Sequence, residues 1–207
     1  MTSATLADKA YDHVLNQLFC QKLRPGDVLD RKQIAKELKV SLIPVADAVQ
    51  RLTLEGFLTT RRRQGTFVST PSIKDIRGQL LLREAIECQS ARLYCGEKIQ
   101  AARGHLLSLA EAADKVADTG QPLWLEEFTF HQALVALTEC DALIRCFQGV
   151  ANLGMFHQAA LITPMQTTTY DRHTELLNQL CEMSSVDDAE ARIRQHSRAG
   201  KESLLEQ

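Results

Sequence analysis

Leu23-Arg24-Pro25-Gly26 is a turn signal, because proline presets one backbone angle and glycine accepts the unusual one that follows. What comes after it leaves few choices. Asp30-Arg31-Lys32-Gln33 reads as a capping box, an acidic N-cap with Gln three residues on. Ile34, Ala35 and Leu38 give the short helix it opens an apolar face. Lys39-Val40-Ser41 turns the chain, Ser41 can cap a second helix, and Pro44 falls in that helix's first turn, where no backbone donor is lost. Val45, Val49 and Leu52 form its buried stripe, and Gly56 ends it. Phe57-Leu58-Thr59-Thr60 and Thr66-Phe67-Val68 then read as two short strands, with the basic tip Arg61-Arg62-Arg63-Gln64-Gly65 between them. A helix over Ala4 to Gln21 packs behind. Together these elements predict a winged helix-turn-helix: three helices plus a β-hairpin wing.

The stretch from Leu23 to Val68 resembles the DNA-binding domain of GntR-type bacterial transcription regulators. The resemblance is carried by Leu23, Pro25-Gly26, Leu29, Ile34-Ala35, Leu38, Val40-Ser41, Pro44-Val45, Ala48, Leu52, Glu55-Gly56-Phe57 and Gly65-Thr66. It implies that the chain binds double-stranded DNA. Lys32 matches a basic phosphate-contact position, and Ser41, Leu42 and Ile43 open the recognition helix. Arg61, Arg62, Arg63, Gln64, Gly65 and Thr66 form the wing, where phosphate or minor-groove contact is expected. One departure stands out. The family's Ser-Arg-x-Pro-Val-Arg-Glu-Ala is here Ser41-Leu42-Ile43-Pro44-Val45-Ala46-Asp47-Ala48, so both arginines of the recognition helix are replaced. The expectation is weaker operator binding, a different operator, or greater reliance on the wing.

Charge is distributed accordingly. Residues 1–71 hold 11 Lys and Arg against 7 Asp and Glu, and the remainder holds 13 against 19, a basic head on an acidic body. No apolar run approaches a membrane span and the N-terminus has no signal-peptide core, which predicts a cytoplasmic protein with no membrane contact. Six cysteines without a C-x-x-C pair are expected to be reduced.

Ser69-Thr70-Pro71-Ser72 marks a boundary, dividing the chain into a DNA-binding domain over 1–70 and an effector-binding and dimerisation domain over 71–207. Beyond it the pattern predicts six helices, at about 73–96, 99–118, 122–138, 141–162, 167–183 and 186–206, forming an antiparallel bundle. The breaks fall at Gly96, Thr119-Gly120-Gln121, Cys140-Asp141, Thr163-Pro164 and Ser184-Ser185. The fold class is therefore mainly α.

Trp124, Phe128, His131 and Val135 recur at helical spacing, which puts His131 on an apolar stripe with Glu127 one turn before it. His173 shares a stripe with Leu177 and Leu180, and His196 follows Ala189 and Ile193. Three inward histidines and a carboxylate are a candidate set of ligands for a divalent transition metal; hydrogen-bonded core histidines are the alternative. Residues about 77–200 resemble the effector-binding domain of FadR-type GntR regulators, through Arg83-x-x-x-Glu87, Glu127-x-x-Phe130-His131, His173 and His196. The resemblance implies that Glu127, His131, His173 and His196 bind zinc, nickel or manganese, with Glu127 standing where the family has Asp. Arg83 either binds the carboxylate of a small effector or pairs with Glu84 or Glu87 on its own helix.

The reading that unites these features is a metabolite-responsive regulator binding a palindromic operator as a homodimer, not an enzyme. The alternatives are a head turned to protein contacts and, less well supported, a metal-dependent hydrolase.

Overall fold

The computed structural model describes residues 4–118, 124–160, 171–201 and 205. Its elements run α1 (Leu6–Phe19), α2 (Arg31–Leu38), α3 (Leu42–Leu54), β1 (Leu58–Arg61), β2 (Gly65–Val68), α4 (Ile73–Tyr94), α5 (Glu97–Asp118), α6 (Trp124–Ala136), α7 (Asp141–Ala160), α8 (His173–Glu182) and α9 (Val186–Arg198). The mainly helical fold with an N-terminal winged helix is as the sequence predicts. The expected helix starts at 122 and 167, and the breaks at Thr119-Gly120-Gln121 and Thr163-Pro164, lie outside the described residues, as does the side chain of Trp124. The last helix was expected to run to 206. It stops at Arg198, where Ala199 leaves the helical conformation and Gly200 takes φ +72°.

Backbone contacts group the chain into two units: residues up to Ile76 with Leu153–Ile162, and Arg77–Asn152 with Thr163–Gln207. Helix α7 therefore contributes to both. In the first unit Ala10, Val14, Leu18, Ile34, Val45, Val49, Leu52, Phe57 and Leu58 form one core. Phe156, from the second half of α7, belongs to that core and packs on Phe57 with ring centroids 5.6 Å apart. Leu58↔Val68 to Arg61↔Gly65 set the antiparallel register of the wing. The turn at Pro25-Gly26 lays a further segment beside β2, since Leu29 N–H donates to Thr66 O and Val68 N–H to Asp27 O, both at 2.8 Å. Gly26 has φ +89° there, a conformation that suits glycine.

The helix ends differ in detail from expectation. Asp30 does cap α2, its Oδ1 accepting from the N–H of Lys32 and Gln33 at 2.8 and 3.1 Å. Gln33 does not complete a capping box, because its side-chain amide donates to Glu37 at 2.9 Å instead. Ser41 holds the N-cap position of α3 but makes no side-chain capping bond. The reciprocal box occurs at α1, where Thr5 and Asp8 each accept from the other's N–H.

In the second unit α5 lies between α6 and α8, and α9 follows on α8. Leu106, Ala110, Phe130, Leu134, Leu176, Leu177, Leu180 and Ile193 fill the centre. Ile86, Val135, Phe147, Val150 and Ala151 make a second cluster joining α4, α6 and the first half of α7. Among the described residues no helix is long and apolar enough to cross a membrane.

The two caps make a direct comparison. Asp30→Ala should cost about 1 kcal/mol of stability in denaturant unfolding, whereas Ser41→Ala should cost no more than a few tenths. Equal losses would contradict the cap geometry.

Candidate functional site

His131 on α6, His173 at the start of α8 and His196 on α9 are buried, at 0, 2 and 8% exposure. One potential ligand atom from each lies within 4.8 Å of the others. The sequence places these rings inward; the structure shows that they meet. Each also has a carboxylate behind it. His196 Nδ1 lies 2.9 Å from Asp171 Oδ2. His173 Nδ1 lies 3.3 Å from Asp114 Oδ1. His131 Nδ1 lies 3.2 Å from Glu87 Oε2, close enough for an ion pair but without hydrogen-bond alignment.

The carboxylates are themselves fixed. Arg192 grips Asp171 with two parallel bonds of 2.7 and 2.8 Å. Asp114, from α5, accepts from the backbone N–H of His173 and Thr174 at 2.8 and 3.2 Å, so it caps the first turn of α8 from another helix. Glu87 accepts from Arg83 Nε at 2.7 Å. Burial alone would push all three carboxyls up, but their partners win and hold them well below the usual range: Arg83 and His131 for Glu87, His173 and Thr174 for Asp114, His196 and Arg192 for Asp171. Burial pushes His131 down to about 3 and also lowers His196. These rings are therefore neutral at neutral pH, the form that binds metals.

A neutral imidazole that donates Nδ1–H to a carboxylate, as the Asp171 contact allows for His196, keeps a lone pair on Nε2. His131 Nε2 and His196 Nε2 face each other at 3.2 Å. A single proton shared between them, or a cation, satisfies both nitrogens at that distance. Two nitrogens bound tetrahedrally to one zinc ion sit about 3.3 Å apart. The donor set, its spacing and the carboxylates behind it fit a divalent transition metal.

Arg83 makes the own-helix pairing with Glu87 that its sequence allows, and Glu127 pairs with it. Arg83 Nη1 donates to Glu127 Oε1 at 2.8 Å, and Glu127 is not among the three residues whose ligand atoms converge. Burial opposes charge on Glu127, yet Arg83, followed by Lys201 and His131, keeps its carboxyl well below the ordinary value. Arg83 is thus held between Glu87 and Glu127, combining the own-helix pairing with a second partner on α6. Glu87, Asp114, Asp171 and Arg192 were not singled out from the sequence as site residues. A signal existed for two of them. Glu87 shares a stripe with Ala91 and Tyr94, and Asp114 with Leu106 and Ala110, so each is a carboxylate on an otherwise apolar face.

In the first unit, Lys32, Ser41, Leu42, Ile43, Arg61, Arg62, Arg63, Gln64 and Gly65 are exposed. Thr66 is not: it is 3% exposed, and its hydroxyl accepts from Arg31 Nη2 at 2.6 Å and contacts Thr60. It braces the wing rather than facing outward. The wing tip is the three-residue turn Arg62-Arg63-Gln64, with Arg63 at φ +61°. The Arg61 guanidinium lies 4.9 Å over the Phe67 ring.

A winged helix-turn-helix followed by a helical bundle with a buried histidine cluster defines a class of two-part bacterial regulators. Residues 6–68 match "Bacterial regulatory proteins, gntR family", and residues 80–199 match the FCD domain. The chain belongs to the GntR-type transcription regulators with an FCD domain, the FadR-type branch. It is 33% identical over 132 residues to the Nta operon transcriptional regulator of Aminobacter aminovorans, covering 62% of this chain and 61% of that protein. It is 27% identical over 124 residues to the transcriptional repressor RspR of Escherichia coli, covering 58% of this chain and 53% of the repressor. The chain thus spans less than two thirds of either. A GntR regulator from Rhodococcus sp. RHA1 has the same fold, with a TM-score of 0.74 at 21% identity and 97% of both chains covered.

The carboxylates give a test. Asp171→Asn should weaken binding of zinc or nickel about 10–100-fold, measured by competition with a chromogenic chelator, while circular dichroism stays native. Unchanged affinity would show that Asp171 does not orient a metal-binding ring.

Proposed function

We propose that the chain is a transcription regulator that binds a palindromic operator as a homodimer through its winged helices, and holds a divalent transition metal and a small effector in its helical unit. One observation carries the metal-responsive part: three buried imidazoles converge, each with a carboxylate at its far nitrogen. His131, His173 and His196 would hold the ion. When bound, it supplies open coordination positions that can take water or an effector carboxylate. Those positions suit an effector better than Arg83, whose guanidinium is already shared by Glu87 and Glu127. Effector and DNA are coupled to the extent that the effector prefers the conformation with one DNA affinity over the other.

The names of the relatives support the regulator part, since two of them are operon regulators or repressors by title. The exposed arginines of the wing supply phosphate attraction.

A metal that binds only the folded chain stabilises it, by about 2.7 kcal/mol at a hundredfold excess over Kd. A chelator should therefore lower the melting temperature, and His131→Ala and His173→Ala should abolish both bound metal and the chelator response. Metal-free protein that shows no thermal shift with zinc, nickel or manganese would overturn the metal reading. Independently, changing Arg61, Arg62 and Arg63 together to Ala should weaken binding to all sequences and flatten the salt slope of affinity. An unchanged slope would remove the wing from the interface.

A further inference from the structure

The recognition helix α3 presents an unusual face. Leu42 and Ile43, its first two residues, are 50 and 73% exposed. Ala46, Asp47 and Gln50 continue the exposed side one and two turns on. No exposed basic side chain lies among these five. The helix's single arginine, Arg51, is engaged within the unit. Its Nε donates to Glu55 at 3.0 Å, its Nη1 lies 3.6 Å from Asp8, and its guanidinium sits 3.8 Å over the Tyr11 ring. Tyr11 in turn donates to Glu55 at 2.5 Å. Arg51 is thus part of the joint between α1 and α3.

A major groove read by this face meets methyl groups, one carboxylate and one amide. Guanine is ordinarily read by Arg or Lys at N7 and O6; neither is among these five, and Arg51, although exposed, is engaged by Asp8, Tyr11 and Glu55. Apolar side chains contact the C5-methyl of thymine, and Gln pairs with N6 and N7 of adenine. Two large aliphatic side chains left in water cost nothing to dehydrate on docking, whereas Asp47 repels phosphate and tolerates only base edges that donate. The scaffold that aims this face is intact: Val45, Ala48, Val49 and Leu52 are buried beneath it.

We infer that Leu42 and Ile43 are specificity-determining residues that read thymine methyl groups, so that the operator's half-sites are set by A·T pairs in the major groove and by the wing's backbone contacts. This inference rests on the DNA-binding reading above and names what that head selects.

The test uses the full chain. Binding sequences are selected from random DNA, and affinity is then measured on the selected operator with each half-site thymine in turn replaced by uracil, which removes only the methyl group. At contacted positions wild type should lose about fourfold per methyl. The folded Leu42→Ala, Ile43→Ala double variant should bind the thymine operator more weakly and should not distinguish thymine from uracil. Equal wild-type affinity for both operators, or selection of guanine at the half-site core, would overturn the inference while leaving a DNA-binding head. Failure to select any sequence at low salt would sink the DNA-binding reading itself, and would leave Leu42 and Ile43 to a protein partner.

Discussion

Three imidazoles can share a buried centre only if something decides which nitrogen of each ring carries its proton. In this chain carboxylates do so. Asp171, Asp114 and Glu87 stand at the Nδ1 side of His196, His173 and His131, and one nitrogen of each ring lies within 4.8 Å of the others. Each carboxylate is anchored to a different element, by Arg192, by the first turn of α8 and by Arg83. Helices α4, α5, α6, α8 and α9 therefore depend on one polar centre as well as on the apolar packing around it. Removing Arg83 would leave Glu87, 3% exposed, without its cationic partner, which costs more than the pair contributes.

The same centre explains why Glu127 is drawn aside. Arg83, on α4 and 16% exposed, is largely withdrawn from water and is offset by two carboxylates. Glu127 supplies the second. One methylene longer than Asp, it bonds the guanidinium on α4 rather than joining the histidines beside it.

Much of this was legible in the sequence, for a physical reason. Buried stripes at 3.6-residue spacing depend on local order alone, so Val45, Val49 and Leu52, or Leu177 and Leu180, announce their helices directly. His131, His173 and His196 were legible as inward residues because they interrupt such stripes. Their carboxylates were not, because pairing across helices depends on which faces meet. Asp171 is two residues from His173 in sequence, yet it serves His196. Capping was legible only in part: Asp30 behaves as its type suggests, while Gln33 finds a competing acceptor in Glu37 and Ser41 leaves its hydroxyl unused for the cap. Thr66 reads as an outward wing residue because its neighbours at the tip are exposed; in the structure Arg31 and Thr60 cover it.

That inward threonine has a mechanical meaning. The bond from Arg31 to Thr66 ties the hairpin to the first residue of α2, and the pairing of Leu29 with Thr66 and of Asp27 with Val68 adds two more attachments. The wing is thus a clamped beam rather than a hanging flap. These ties hold the base of the wing against the segment that leads into α2. If this head docks on DNA as proposed, a wing held in this way favours duplexes whose grooves already match it, and others must supply the deformation themselves.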